Sequence, residues 1–302
     1  MVKDLIIGGA SNYTWEQLKY WVNSIKRSGF DGDIMLVSSN FKKDTIDKLT
    51  AEGVLIYLFG EIQSNGDVIN KNETKMPASV ERFFYVWHVL KKYGSNYRYV
   101  ISTDTRDVVF QENPSLWLER NLHNSERGLV APSEGLKYEE EPWNNNNLYQ
   151  GYGPHVYDFY KGMCIYNVGV LAGTPEHMRD IFFMTFQMSA YLPIIGVDQA
   201  AFNIVINQEP FKLTTMLTSH KNAWVAQLGT TIQAINSVSG DLGLQIMKDP
   251  TAFDKYLSNY QDTQPQINDE GIVLNSVGEK FAIVHQYDRI SAWKDKIMRR
   301  YE

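Results

Sequence analysis

Strand and helix signals alternate from the start of this chain, and that alternation limits the possible folds more than any other feature. Leu5-Ile6-Ile7-Gly8-Gly9 is an apolar run of strand length, and within residues 14–27 Trp15, Leu18, Trp21, Val22 and Ile25 recur at helical spacing. Thr14 and Gln17 have the spacing of a capping box at the start of that helix. Residues 33–37 read as a second strand, 45–49 as part of a helix, and 54–58 as a third strand ahead of Gly60. Val80, Phe83, Phe84, Trp87, Val89 and Leu90 predict a long buried helix over 78–92, and 97–103 reads as the next strand. Such a series calls for βαβ units, hence an α/β fold with a mostly parallel central sheet and flanking helices, a Rossmann-like sandwich.

The second half is less regular. Residues 139–152 carry three glutamates, Pro142, Trp143 and four asparagines, and read as a surface loop, either a binding lid or a solvated spacer. Residues 163–171 read as one strand, 175–190 and 197–207 as helices, 271–274 and 281–285 as strands, and 293–300 as a short basic helix. Trp224 to Thr230 reads as a loop-like run without an assignable role. No Pro/Gly/Ser-rich linker divides the 302 residues, so a single domain over 1–302 is expected. A net charge of −6 argues against a nucleic-acid partner, because no surplus of cations is available to neutralise a run of phosphates. Cys164 is the one cysteine, which excludes an intramolecular disulfide and fits a reducing compartment. No apolar run approaches the ~18 residues of a membrane span, and a soluble, cytoplasmic protein or a soluble domain of a longer one is expected.

Chemistry first appears in Ser102-Thr103-Asp104-Thr105-Arg106-Asp107-Val108-Val109-Phe110, where a hydrophobic strand delivers Asp104 to its carboxyl end. In open α/β sheets the crevice beyond those ends is where ligands bind. Two carboxylates three residues apart can face one hard cation, and Mg²⁺ or Mn²⁺ takes one or two carboxylates and fills its other positions with phosphate and water. The plainer reading has Asp104 capping a turn and Asp107 paired with Arg106. Near the other end of the chain, Phe281-Ala282-Ile283-Val284-His285 places a histidine at the end of another apolar strand. Imidazole is a ligand that Mn²⁺ accepts beside carboxylates, and a core histidine bonded to backbone is the alternative.

The run from Ser102 to Pro114 resembles the Asp-x-Asp region of GT-A-fold nucleotide-diphospho-sugar glycosyltransferases. His285 resembles the C-terminal metal histidine of their glycogenin-like, retaining group. The likeness implies a metal held by Asp104, Asp107 and His285, with Asp104 also toward the ribose. Arg106 stands where a strict Asp-x-Asp pattern has its second acid, so Asp107 must serve through one extra residue. Ile165-Tyr166-Asn167-Val168-Gly169-Val170 resembles the strand whose asparagine faces the sugar, and Gly196-Val197-Asp198-Gln199 resembles the helix start beside the transferred sugar. Gly9, Ala10 and Tyr13 stand where the nucleotide is bound, while Arg82 and Lys294 match cations that reach the donor diphosphate. The resemblance divides the domain into a nucleotide-binding half, 1–115, and an acceptor and catalytic half, 116–302.

The resemblance thus implies a metal-dependent glycosyltransferase using Mn²⁺ or Mg²⁺. Its donor would be a UDP-sugar more readily than a GDP-sugar, its acceptor a carbohydrate or glycoconjugate, and its course retention, with Asp198, Gln199 and Asn167 at the reacting sugar. If the reaction inverts, Asp198 and then Glu134 are the carboxylates available to take the acceptor proton. Three rivals share parts of this pattern, one of them a haloacid-dehalogenase-type phosphatase, which also clusters aspartates but typically after the first strand of its domain. A sugar-phosphate nucleotidyltransferase needs a basic glycine-rich loop after the first strand, and Gly8 to Thr14 carries no basic residue. A nucleotide-sugar binding protein would keep the fold without turnover.

Overall fold

The apolar run near the amino terminus lies at the centre of the molecule. The computed structural model describes residues 2–70, 76–192, 194–237 and 250–302. In β1 (Lys3–Ala10), Leu5, Ile6 and Ile7 are wholly buried. Alternate residues of a strand point to opposite faces. Ile6 accordingly packs with Trp21 and Ile25 of α1 (Trp15–Arg27), whereas Leu5 and Ile7 pack with aromatic and aliphatic residues on the other side of the sheet. The chain continues through β2 (Asp33–Ser38), α2 (Lys43–Ala51), β3 (Leu55–Leu58) and the hairpin β4–β5 (Glu61–Ile62, Val68–Ile69) into α3 (Ala78–Tyr93), whose Phe83, Val86 and Val89 cover Leu5 and Ile7.

Beyond α3 come β6 (Tyr97–Thr103), β7 (Val108–Phe110), α4 (Pro114–Asn121), β8 (Leu129–Lys137), α5 (Pro142–Tyr160), β9 (Cys164–Tyr166) and β10 (Val170–Gly173). They are succeeded by α6 (Pro175–Ser189), α7 (Val197–Ile206), β11 (Thr215–Thr218), β12 (Val225–Gln227), the hairpin β13–β14 (Gln266–Ile267, Val273–Leu274), β15 (Ile283–His285) and a terminal helix, Ser291–Arg300. The main sheet runs β11-β8-β10-β6-β1-β2-β3, with β9 pairing β8. Its pairs β6–β1, β1–β2, β2–β3 and β8–β11 are parallel, and β10 runs against both its neighbours. The fold is therefore α/β with a mostly parallel sheet, as the alternation of signals requires.

A second sheet, β12-β15-β7, stands beside the first. Its register sets His285 opposite Val108 of β7 and opposite Gln227 of β12. The segment 224–230, which reads as loop in sequence, thus supplies one of its strands.

Two further expectations need correction. The asparagine-rich tract is no loop. A 3₁₀ turn at Tyr138–Glu140 leads into α5, with Pro142 at the first helical position and the Glu141 carboxylate accepting from the backbone N–H of Trp143 (3.2 Å) and Asn144 (2.6 Å). Proline in the first turn and an acceptor at the N-cap begin a helix even ahead of four asparagines. Gly153, with φ of 76°, and Pro154 break α5 midway. The strand expected over 163–171 is two strands. Asn167 Oδ1 accepts from the Gly169 N–H (2.6 Å), a local turn that interrupts the ladder between β9 and β10.

Candidate functional site

A cleft of about 580 Å³ opens at the carboxyl ends of β1, β2 and β6, within the size range of small-molecule sites. Its floor is built by the two sheets together. Past the end of β6, the Asp104 N–H donates to the Gly169 carbonyl (2.7 Å), and the chain turns through Thr105 and Arg106 to Asp107 at the head of β7. Pairing of β7 with β15 then places His285 against both aspartates. Its Nε2 lies 3.5 Å from Asp104 Oδ2 and 3.8 Å from Asp107 Oδ1, and one ligand atom from each of the three side chains lies within 4.8 Å of the others. His285 is 1% exposed and Asp107 7%, while Asp104 is the open edge of the group.

The polar groups here fit a cation. His285 Nδ1 is 2.7 Å from the amide oxygen of Gln227, and Nε2 has no hydrogen-bond partner although buried. Burial pushes the imidazole below its ordinary pKa, against the opposing pull of Asp107 and Glu134. With its proton on Nδ1, toward the amide oxygen, a neutral ring would turn a lone pair toward the two carboxylates. Acceptors with no donor between them are the arrangement a divalent ion satisfies. Gly169 makes the approach possible, because a Cβ there would lie 2.2 Å from His285 Cε1.

Arg82 of α3 reaches the same place from the other side. It donates to Asp104, lies 3.7 Å from Asp198 Oδ2, and contacts the Val168 carbonyl at 3.3 Å. Only 16% of its side chain is exposed; burial lowers its pKa and the nearby acids oppose that, yet a guanidinium keeps its charge in proteins. Asp198 is buried near the start of α7, where Gly196 in the left-handed region (φ 84°) turns the chain into the helix. Burial raises its pKa and Arg82 counters that. Gly9, Ala10 and Tyr13 line the end of the cleft above β1, together with Ser39 and Tyr85.

Asn167 and Gln199 sit at the floor, and both are already engaged. Glu134 Oε1 accepts from Asn167 Nδ2 (2.6 Å) and Gln199 Nε2 (3.1 Å), and its Oε2 from Asn144 Nδ2 (3.1 Å). Gln199 also donates to Asn144 Oδ1 (2.7 Å), and Asn144 in turn donates to Glu141 (2.8 Å). Burial, reinforced by the charge of Glu141, lifts Glu134 to a pKa of about 7 despite these donors. The asparagine-rich tract therefore supplies Glu141 and Asn144 to the site. Lys294 is not brought in: it lies exposed on the terminal helix, outside the residues lining the cleft, whereas Arg106 and Arg289 line it. No short-range signal marks Gln227, because strand register alone brings it to His285.

No protein-family model matches the chain, and a search of curated proteins finds no match. Among solved structures it is similar to the galactosyltransferase LgtC, crystallised with donor and acceptor sugar analogs, with a TM-score of 0.55 and 14% identity over 98% of this chain and 95% of that one. The chain has a GT-A-type fold. In that fold the triad Asp104, Asp107 and His285 lines the cleft where the central and the small sheet meet. Among the described residues no helix is long and apolar enough to cross a membrane.

Proposed function

We propose that this GT-A chain is a metal-dependent glycosyltransferase of the glycogenin-like kind, moving a sugar with retention from a UDP-sugar, rather than a GDP-sugar, to a carbohydrate or glycoconjugate. The observation that carries the reading is the convergence of Asp104, Asp107 and the unpartnered Nε2 of His285 on the floor of the cleft. The fold it shares with a galactosyltransferase supports it. Bound there, Mn²⁺ or Mg²⁺ would offset the charge that builds on the diphosphate as the glycosidic bond breaks.

The chain's own groups account for the rest. Gly9, Ala10 and Tyr13 receive the nucleotide, with the half-buried Tyr13 ring against the base. Arg82, balanced between Asp104 and Asp198, meets the donor at the bond that breaks. Arg106 and Arg289 take the diphosphate role that Lys294 holds in the resemblance. Asp198 steadies positive charge on the sugar, while Asn167 and Gln199 hold Glu134 in place. Should the reaction invert, Glu134 is the stronger candidate for the base: its pKa of about 7 suits proton transfer near neutrality, whereas Arg82 offsets the charge of Asp198.

The test is incubation with UDP- and GDP-sugars, each with Mn²⁺, Mg²⁺ or chelator, and then NMR of the anomeric product. Metal-dependent release of UDP with a retained anomer supports the reading. Pyrophosphate release from nucleoside triphosphate and sugar phosphate would favour the nucleotidyltransferase, and donor binding without turnover the binding protein.

A further inference from the structure

His285 can bind a cation through Nε2 only if its proton sits on Nδ1, and an isolated imidazole has no built-in reason to keep it there. The structure supplies one. Gln227 lies opposite His285 in the β12–β15 ladder, is 1% exposed, and places its amide oxygen 2.7 Å from Nδ1. A carbonyl oxygen only accepts, so with the amide turned this way, its own Nε2 buried without a partner, the contact places the proton on Nδ1.

The backbone that carries Gln227 is itself fixed. Its backbone N–H donates to His220 Nε2 (3.1 Å), and His220 Nδ1, 2.7 Å from the Thr263 carbonyl, must carry the proton of that ring. His220 is 1% exposed, and its own N–H donates to Asp262 (2.7 Å). A row of buried contacts thus runs from the 262–263 turn through His220 and Gln227 to His285, and ends at the carboxylates. Other groups near His285 do not compete for the Nδ1 proton: Asp104 and Asp107 face Nε2.

We propose that Gln227 is the positioning residue of the cation site, holding His285 in the Nδ1–H tautomer so that the Nε2 lone pair is presented with Asp104 and Asp107. The inference rests on reading the triad as a cation site, yet it makes a claim about the metal-free chain that can be checked separately. Removing a group that orients a metal-binding histidine through its other nitrogen typically weakens metal affinity by roughly 10- to 100-fold.

The experiment uses the full chain labelled with ¹⁵N-histidine, treated with chelator, and long-range ¹H–¹⁵N correlation at a pH where the ring is neutral. The His285 pattern is assigned by its loss in His285→Gln. The expected result is an Nδ1–H tautomer in the wild type and in Gln227→Glu, which keeps an acceptor, and its loss in Gln227→Leu. Mn²⁺ titration monitored by electron paramagnetic resonance should show roughly 10- to 100-fold weaker binding for Gln227→Leu, with recovery in Gln227→Glu. An Nε2–H tautomer in the wild type, with the Gln227 amide donating, would overturn the proposal without any variant having to fold. Equal Mn²⁺ affinity of wild type and Gln227→Leu would overturn it as well. An Nδ1–H wild type that binds no Mn²⁺ would instead refute the cation reading, and with it the purpose assigned to Gln227.

Discussion

Asp107→Asn keeps the shape of the side chain and removes its charge, and the turn it belongs to is held by its backbone, whose carbonyl accepts from the Gln286 N–H (2.8 Å). Metal-dependent donor turnover should therefore fall by at least about 100-fold, with the thermal midpoint nearly unchanged; full activity would remove the metal role. Arg289→Ala should raise the KM for the donor several-fold, while Lys294→Ala stays near wild type. The reverse order would reinstate Lys294. The reason Lys294 matches the pattern in sequence and sits elsewhere in space is local: Gln286 adopts a left-handed conformation (φ 59°), the chain turns through Tyr287–Arg289, and the terminal helix then carries Lys294 to its exposed side. Glu134 gives a pH signature. Its folded pKa, about 7, stands above the ordinary carboxylate value, so the folded state holds a proton that the unfolded chain has released. The stabilisation is complete below the unfolded pKa and is lost as pH rises through about 7, a change of about 3 kcal/mol. Urea denaturation from pH 5 to 8 should show that decline in the wild type and not in Glu134→Gln.

Two short segments show how strongly the elements govern the site. In Gly169→Ala the new Cβ would fall 2.2 Å from His285 Cε1. The ring would have to move, so Mn²⁺ binding should be lost more completely than stability; calorimetry of both on one sample decides this. Glu141→Ala removes the cap of α5 and should lower stability by about 1–2 kcal/mol, and it also releases Asn144 from its place beside Glu134. The buried strands and helices of the first half were legible because β1, β2 and β6 are apolar runs and α1 and α3 carry helical spacing. What was hidden depends on contacts distant in sequence or on single caps. Glu141 and Pro142 start a helix in a tract whose asparagines suggest a loop, and Val225–Gln227 becomes a strand only because β15 lies beside it.

At the scale of the molecule, the central sheet brings Gly9 and Asp104 to one cleft, α7 adds Asp198, and the small sheet adds His285. Asp104 and His285 were readable from the sequence because each stands at the carboxyl end of an apolar strand, and Asp107 because it lies three residues beyond Asp104. Their convergence required the β7–β15 pairing, which no local pattern announces. The amide network around Glu134 was equally invisible, since Asn144, Asn167 and Gln199 meet only through tertiary packing. The most direct measurement is a crystal grown with Mn²⁺ and UDP, with anomalous scattering recorded near the manganese edge. The account predicts one strong peak in bonding distance of Asp104, Asp107 and His285 Nε2, touching the diphosphate. A UDP-bound crystal whose manganese lies elsewhere, or leaves His285 uncoordinated, would contradict it.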